Sequence, residues 1–377
     1  MKIAIVRKKY IFHGGSESFS DFMIRELSEQ GHEIHIFTLK WEISERLNNV
    51  FIHKIPALTF NSFFRDFTFA ISSFFSLKLK RKEIDIIQSH DKTLYQDIYR
   101  AGDGCHIEWL KQRWKRTGIT GKFSIILNPY HWLILILERI IFQGRRYKKI
   151  IAISELVKKN ILTHYHIPES DIEVIYNGVD LIRFHPQNRD FFRQEIREKH
   201  GISESDFVIL FVGSGFERKG LRFLLKAVEI IPERVTVLIA GRGSEKIYNL
   251  KEKKQNIIFC GPQKDIHKYY AAADIFVFPT IYEPFGNVHL EALASGLPVI
   301  TTNQSGAAEI IENNVHGFVI PSPEDFIAIA ERIIFLIKNP EQRESIGFNA
   351  RKQAEEYSYE RFMNKILKLY ENLAEEK

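Results

Sequence analysis

The sequence predicts an α/β protein of two domains, each built on a parallel sheet, and three observations carry that prediction. Short apolar runs rich in β-branched and aromatic residues alternate with amphipathic stretches of helical length, which is the pattern of strand–helix–strand units. The alternation starts afresh in the second half of the chain without visible repetition of sequence. A length of 377 residues suits two domains of ordinary size, each able to bury its own core.

Composition narrows the class. Hydrophobic residues make up 45% of the chain, and Cys105 and Cys260 are its only cysteines, which excludes a disulfide framework or a cysteine zinc site and suits a reducing cytoplasm. The opening MKIAIVRKKY has too few apolar positions for a signal peptide, and no run approaches the roughly 20 apolar residues of a spanning helix. The expectation is a chain that is soluble or peripheral to a membrane. The net charge of +6 is unevenly spread, with basic clusters at 78–82, 111–116 and 145–149. Basic surface of this kind suits nucleic acid and anionic lipid alike.

In the first half, Lys2–Val6 reads as a strand and leads to Gly14-Gly15-Ser16-Glu17, then to a helix with Phe19, Phe22, Met23 and Leu27 on one face, then to a second strand, Glu33–Thr38. A double glycine lets backbone N–H groups approach a phosphate closely, although such pairs also serve as plain turns. Residues 60–82, with seven phenylalanines and a basic tail, read as a helix more aromatic than a core requires. Strands at 85–89 and 98–102 end at His90 and Asp103, and in a parallel sheet the residues just past the strand ends face the ligand; a structural histidine is the alternative for His90. Residues 105–122 mix Trp109 and Trp114 with Lys111, Arg113, Lys115, Arg116 and Lys122. That is the composition of a segment lying in a membrane interface, with a helical hairpin packed on the sheet as the alternative. For 132–137 the expectation is core packing. Strands at 150–154 and 173–176 close this half, and the turn-rich 177–186 marks a boundary, giving domains 1–180 and 181–357 with a last helix at 358–377 able to pack back on the first.

The second half opens on a strand at 207–212, whose loop GSGFERKG carries Arg218 and Lys219 to the start of a helix. Two cations at a helix N-terminus suit a diphosphate. Strands at 235–240 and 257–260 lead to Gly241-Arg242-Gly243 and to Gly261-Pro262. The richest stretch is 282–302, YEPFGNVHLEALASGLPVITT, which places a helix between buried strands at 275–278 and 299–302. Gly286 and Asn287 open that helix, and Gly296 with Pro298 stops it. Glu283 in the loop and Glu291 in the helix flank the first-turn N–H groups at 285–288, which with the helix dipole form an anion site. Taken alone, Glu283 could cap the helix and Glu291 face solvent.

In this order and spacing the motifs resemble those of the retaining, nucleotide-sugar-dependent glycosyltransferases of the GT-B fold that share the E-x7-E signature. The resemblance spans nearly the whole chain and rests on GGSE at 14–17, NGVDLIRFHP at 177–186, Arg218-Lys219-Gly220, YYAAAD at 269–274, Glu283-Pro-Phe-Gly286 with Glu291, and ASGLP at 294–298. Within that family the first turn, the GSGFERKG loop and AGDGCH look most like the lipopolysaccharide-core glucosyltransferases. The resemblance implies two Rossmann-like domains with parallel sheets facing across a cleft, donor held mainly by the second and acceptor by the first. Glu291 would bind ribose hydroxyls and Glu283 the donor sugar. Arg218 and Lys219 would neutralise the leaving diphosphate, helped by Gly14, Gly15, Glu17 and the backbone of Phe285, Gly286 and Asn287. Base recognition would fall around Arg242, Gly261 and Pro262.

Two departures stand out. Many members carry an arginine where this chain has Ser214, and a histidine where the first-domain strand here ends at Gly102-Asp103, so Asp103 becomes the candidate for the sugar or acceptor hydroxyl, with His90 and His106 behind it. The resemblance implies catalysis by Glu283, Asp103, Lys219 and Arg218 without metal or cofactor, the donor (UDP-glucose) being a substrate. It implies transfer of a hexose, glucose above all, to a lipid-linked glycan such as lipopolysaccharide core, at the cytoplasmic face of the inner membrane. A nucleotide-sugar-binding assembly protein without catalysis and a nucleic-acid binder are the rival classes. The four charged residues of the second half argue against the first, and no nucleic-acid module supports the second.

Overall fold

The computed structural model of the chain describes residues 1–10, 15–41, 47–245, 247–248 and 255–375, apart from the side chains of Tyr10 and residues 15–20. The chain divides into two compact units, Met1–Tyr176 with Phe362–Lys377, and Asn177–Arg361.

The first unit contains β1 (Lys2–Val6), β2 (Lys9–Tyr10), α1 (Gly15–Glu29), β3 (Glu33–Thr38), β4 (Lys40–Trp41), β5 (Val50–Lys54), α2 (Ser62–Lys80), β6 (Ile86–Ser89), β7 (Ile98–Ala101), α3 (His106–Arg116), α4 (Ile119–Leu127), α5 (Pro129–Phe142), β8 (Lys149–Ala152), α6 (Glu155–Tyr165) and β9 (Ile172–Val174). Its seven-stranded sheet runs β5-β3-β1-β6-β7-β8-β9, parallel throughout. The central strands are buried on both faces, as parallel strands covered by helices must be. Strand β5 escapes sequence reading because, as an edge strand, Val50–Lys54 is largely exposed and its apolar run is only three residues long.

The second unit contains α7 (Asn188–Lys199), β10 (Phe207–Val212), α8 (Leu221–Glu229), β11 (Val235–Ala240), β12 (Asn256–Gly261), α9 (Ile266–Ala272), β13 (Ile275–Phe278), α10 (Asn287–Ala294), β14 (Val299–Thr302), β15 (Gly317–Ile320), α11 (Phe326–Lys338) and α12 (Pro340–Glu355). Its parallel sheet runs β12-β11-β10-β13-β14-β15, the Rossmann order, in which the direction of winding reverses between β10 and β13. Ligands of such sheets bind at that switch point, past the carboxyl ends of the strands. In the first unit the corresponding point lies between β1 and β6.

The last helix, α13 (Tyr359–Glu375), carries the chain back. Its residues from Phe362 belong to the first unit, where Phe362, Met363, Ile366, Leu369 and Tyr370 are buried and the Tyr370 hydroxyl donates to Gln88 Oε1 at 2.9 Å. The crossings fall before 180 and after 357 because Val179 pairs with Ser358 inside the second unit.

The expectation of core packing at 132–137 requires correction. Helix α5 packs on α2 through Leu133, Ile134 and Leu137 around Ala70, yet Trp132 is 55% and Ile136 54% exposed, because a helix lying on one neighbour buries one face only. Among the described residues no single helix is long and apolar enough to cross a membrane; α4 and α5 together are, but they bend by 58° at Asn128-Pro129.

Candidate active site

At the switch point of the second unit, the loop after β10 meets the loop after β13. Gly220 makes the approach possible: its φ is +79° and a Cβ there would sit 1.8 Å from the Pro279 carbonyl oxygen, a geometry only glycine tolerates. Arg218 and Lys219 are thereby carried to Glu283. Lys219 Nζ bonds one carboxylate oxygen of Glu283, and Arg218 Nη1 reaches the same oxygen at 3.4 Å while donating to the Tyr282 carbonyl at 3.0 Å. Glu283 is only 8% exposed. Burial and the adjacent Arg218 pull the Lys219 pKa well below the ordinary lysine value, and the ion pair with Glu283 works against that pull. Two cations on one carboxylate leave the cluster net positive. The acid at 283 therefore pairs with cations across the cleft of two loops instead of capping α10, and no side chain caps that helix.

Helix α10 starts where backbone geometry demands it. Gly286 has φ +86°, and a Cβ on it would meet His289 Nδ1 at 2.8 Å and Glu283 Cγ at 2.9 Å. His289 is fully buried behind this start, with Nδ1 2.8 Å from the Gly286 carbonyl and Nε2 2.8 Å from Thr301 Oγ1. Burial lowers its pKa to about 4, so the neutral ring donates from Nδ1 to Gly286 and turns Nε2 to the Thr301 hydroxyl, whose proton the Phe278 carbonyl also accepts at 3.0 Å. Phe276 and Phe278 meet its ring edge to face. Asn177 Nδ2 donates to Asn287 Oδ1 at 2.6 Å.

Glu291 lies inside, not on the surface. It is 9% exposed and accepts from the Tyr270 hydroxyl at 2.9 Å. Burial raises its pKa to about 7, against the opposing effects of the Tyr270 hydrogen bond and the Arg183 charge. A solvent-facing Glu291 is thus excluded. Sequence reading missed Tyr270, Arg183 and His289 as partners of the site; Tyr270 stands in the YYAAAD motif, and the signal that could have found it is a hydroxyl one turn before a buried strand.

The remaining loops of this edge are tied together. Ser214 Oγ accepts from the Arg242 backbone N–H at 3.2 Å, Gly215 N donates to Arg242 O at 2.9 Å, and Gly241 N to Gly261 O at 2.9 Å. Ser214 thus holds the Gly241–Gly243 turn, while the Arg242 side chain and Pro262 are exposed. Of the glycine turn after β1, Gly14 lies outside the described residues, as does the side chain of Glu17; Gly15 begins α1.

In the first unit, His90 N donates to the Val6 carbonyl at 3.0 Å, and Nε2 lies 2.7 Å from Gln88 Nε2. Burial, then Arg100 and Arg7, press its pKa far below the usual histidine range. Asp103 is exposed in the turn after β7. His106 has Nε2 3.0 Å from His131 Nδ1 and its backbone N–H donates to Glu138 at 2.8 Å; burial and the Lys92 charge lower its pKa to about 3. The structure gathers Asp103 and His106 around the charge of Lys92 and leaves His90 with the arginines. Lys92 itself pairs with the buried Glu138 at 3.5 Å.

Along α3, Lys111 and Lys115 are exposed, Trp114 is exposed beneath Lys122, whose Nζ lies 5.1 Å from the indole centroid, and Trp109, Arg113 and Arg116 are half-buried. Among the described residues no group of three or more His, Cys, Asp or Glu side chains is placed to hold a metal ion.

Residues 13–183 match the family Glycosyltransferase Family 4, and residues 192–353 match Glycosyl transferases group 1. The chain is 27% identical to an uncharacterized glycosyltransferase of Methanocaldococcus jannaschii over 98% of each, and 26% identical to the lipopolysaccharide glucosyltransferase WaaG of Escherichia coli over 86% of each. A crystal structure of WaaG superposes with a TM-score of 0.82 at 23% identity, covering 98% of this chain and 99% of that one. HepE of Anabaena, solved in complex with UDP-glucose, superposes with a TM-score of 0.73 at 17% identity over 99% of this chain and 100% of that one.

Proposed function

The chain belongs to the retaining GT-B glycosyltransferases of family 4, group 1, and from that premise we propose that it moves glucose from UDP-glucose to a lipid-linked glycan such as lipopolysaccharide core. The observation that carries the reading is the Arg218–Lys219–Glu283 cluster beside the uncapped start of α10. A diphosphate lying on that start meets two cations and the helix dipole. On its arrival the cations transfer part of their interaction from Glu283 to the phosphates, and the freed carboxylate accepts hydrogen bonds from the glucose hydroxyls. Glu291, held by Tyr270, accepts from the ribose.

The bond between the anomeric carbon and the diphosphate oxygen then breaks through an oxocarbenium-like state. The acceptor hydroxyl adds on the same face, and its proton passes to the departing oxygen. No protein nucleophile is required, and stabilisation of the developing charge supplies much of the rate. We assign the acceptor to the carboxyl edge of the first unit's sheet, to Asp103 with His90 and His106. Glucose and UDP are supported by likeness to a glucosyltransferase and to a protein that binds UDP-glucose. A lipid-linked acceptor places the work at an anionic membrane surface, the cytoplasmic face of the inner membrane, with the cations of α3 facing it.

The test is donor hydrolysis across a panel of nucleotide sugars, followed by calorimetry with free UDP. Glu291→Ala is expected to weaken UDP binding, and Glu283→Ala to spare it and abolish sugar-dependent turnover. Equal losses of UDP affinity in both variants refute the division of roles.

A further inference from the structure

Helix α2 carries an exposed apolar stripe that nothing in the first unit covers. Phe64, Phe67, Ile71, Phe75 and Leu79 are all exposed, Phe75 at 60% and Leu79 at 85%. They recur every three or four residues and so occupy one side of the helix, opposite the buried Phe69, Ser73 and Leu77. The neighbouring helices do the same. Helix α5, packed on α2, exposes Trp132 and Ile136, and α4 exposes Phe123 and Leu127. The Trp132 indole N–H donates to the Ile126 carbonyl at 2.7 Å, satisfying a backbone group at the α4–α5 bend while its ring stays outward. Exposed apolar surface of this extent marks an interaction site.

Charge identifies the occupant. The two carboxylates in these three helices, Asp66 and Glu138, are both buried and paired, Asp66 with Lys8 and Arg65 and Glu138 with Lys92. The outward sides therefore carry no acid. Lys78 and Arg139 are exposed on them. In an isologous contact with a second copy these cations would oppose one another, whereas an anionic bilayer attracts the cations and accepts the apolar residues.

We propose that the outward faces of α2, α4 and α5 insert into the headgroup–acyl boundary of an anionic leaflet, so that the first unit is held by apolar insertion with the basic residues as its rim. The proposal rests on the lipid-linked acceptor read above and extends it. A purely electrostatic contact through α3 is released by salt, while inserted phenylalanine and tryptophan are not.

The full chain is mixed with vesicles of phosphatidylethanolamine and phosphatidylglycerol, with and without bromine on the acyl chains. Acyl bromine is expected to quench the emission of the wild type more than that of Trp132→Phe, and much of the protein is expected to stay bound at high salt. A triple variant, Phe67→Ser with Phe75→Ser and Leu79→Ser, changes only exposed side chains away from the catalytic machinery. Its vesicle affinity is expected to fall at least about tenfold, with UDP-glucose hydrolysis in solution unchanged. Equal quenching in the two Trp132 forms, or wild-type affinity in the triple variant, overturns the proposal. So does sedimentation showing that the wild type is a dimer that the triple variant dissociates, which would assign the face to a second copy. Transfer to a lipid-linked acceptor by the wild type and the triple variant alike refutes insertion and leaves the proposed function standing; absence of such transfer by the wild type refutes that function whatever the vesicles show.

Discussion

Lys219 and Glu291 are buried ionisable groups, and burial disfavours the charged form of each. Lys219 sits against a carboxylate and the Phe278 ring, 5.3 Å from its centroid, poised for a charge that develops only as the donor breaks. Lys219→Ala is expected to lower kcat about a hundredfold or more, as loss of a donor aimed at a forming anion commonly does; turnover at saturating donor measures it, and a change of only a few-fold contradicts the assignment. Glu291 has a folded pKa of about 7 against an ordinary value of 4.5. The folded chain thus holds this proton more tightly than the unfolded chain. The stability it contributes is fully present below 4.5 and is lost as pH rises through about 7. Urea titrations across that window are expected to show a stability loss in the wild type that Glu291→Gln lacks. Donor affinity is expected to move the other way, strengthening as the carboxylate ionises to accept the ribose hydroxyls.

At the scale of elements, α7 is pinned by one acid. Asp274, just before β13, accepts from Arg197 at 3.0 Å and from Arg193 at 3.1 Å, with Arg189 at 3.4 Å, and also from the Val208 backbone N–H at 2.8 Å. Arg197 is 1% exposed. Asp274→Ala leaves that buried charge without its counter-ion, with only backbone carbonyls accepting from Nε and Nη1, and removing one partner of a buried pair typically costs about 3–5 kcal/mol. Thermal melting of the variant checks this, with loss of the second unit's cooperativity as the expected result. The GSGFERKG loop and α10 were readable as elements because glycines and cations stand at helix starts. Their meeting was not readable. It depends on β10 and β13 being neighbours in the sheet, a pairing of segments far apart in sequence that local pattern does not encode.

For the whole molecule, the chain leaves its first unit at Tyr176 and returns at Phe362. The returning segment completes the first unit's core with Ile366, Leu369 and Tyr370. Truncation after Arg361 is expected to expose the first unit, not the second, to limited proteolysis, and peptide mapping of the fragments decides which. Charge acts at this scale too. Neutralising Lys111, Arg113, Lys115 and Arg116 together is expected to weaken cosedimentation with anionic vesicles and to leave activity on a soluble acceptor fragment nearly intact. Each such cation is worth about 1 kcal/mol near the surface.

What the sequence by itself determined is whatever is written in local period and punctuation: the alternation of strand and helix, the parallel sheets, the glycines that permit close approach, and the order of motifs that identifies the family. Burial and pairing across distance came only with the tertiary structure. Local pattern alone leaves Glu291 free to face solvent and its motif makes it a ribose ligand, but only the packing shows it inside against Tyr270. Trp132 and Ile136 read as core yet face outward, and His289 reads as one more helix residue yet holds the Gly286 carbonyl. The physical reason is the same in each case. Hydrophobic period tells which residues share a side of an element, whereas the side that meets a neighbour, and which charge or hydroxyl waits there, is decided by how the elements pack.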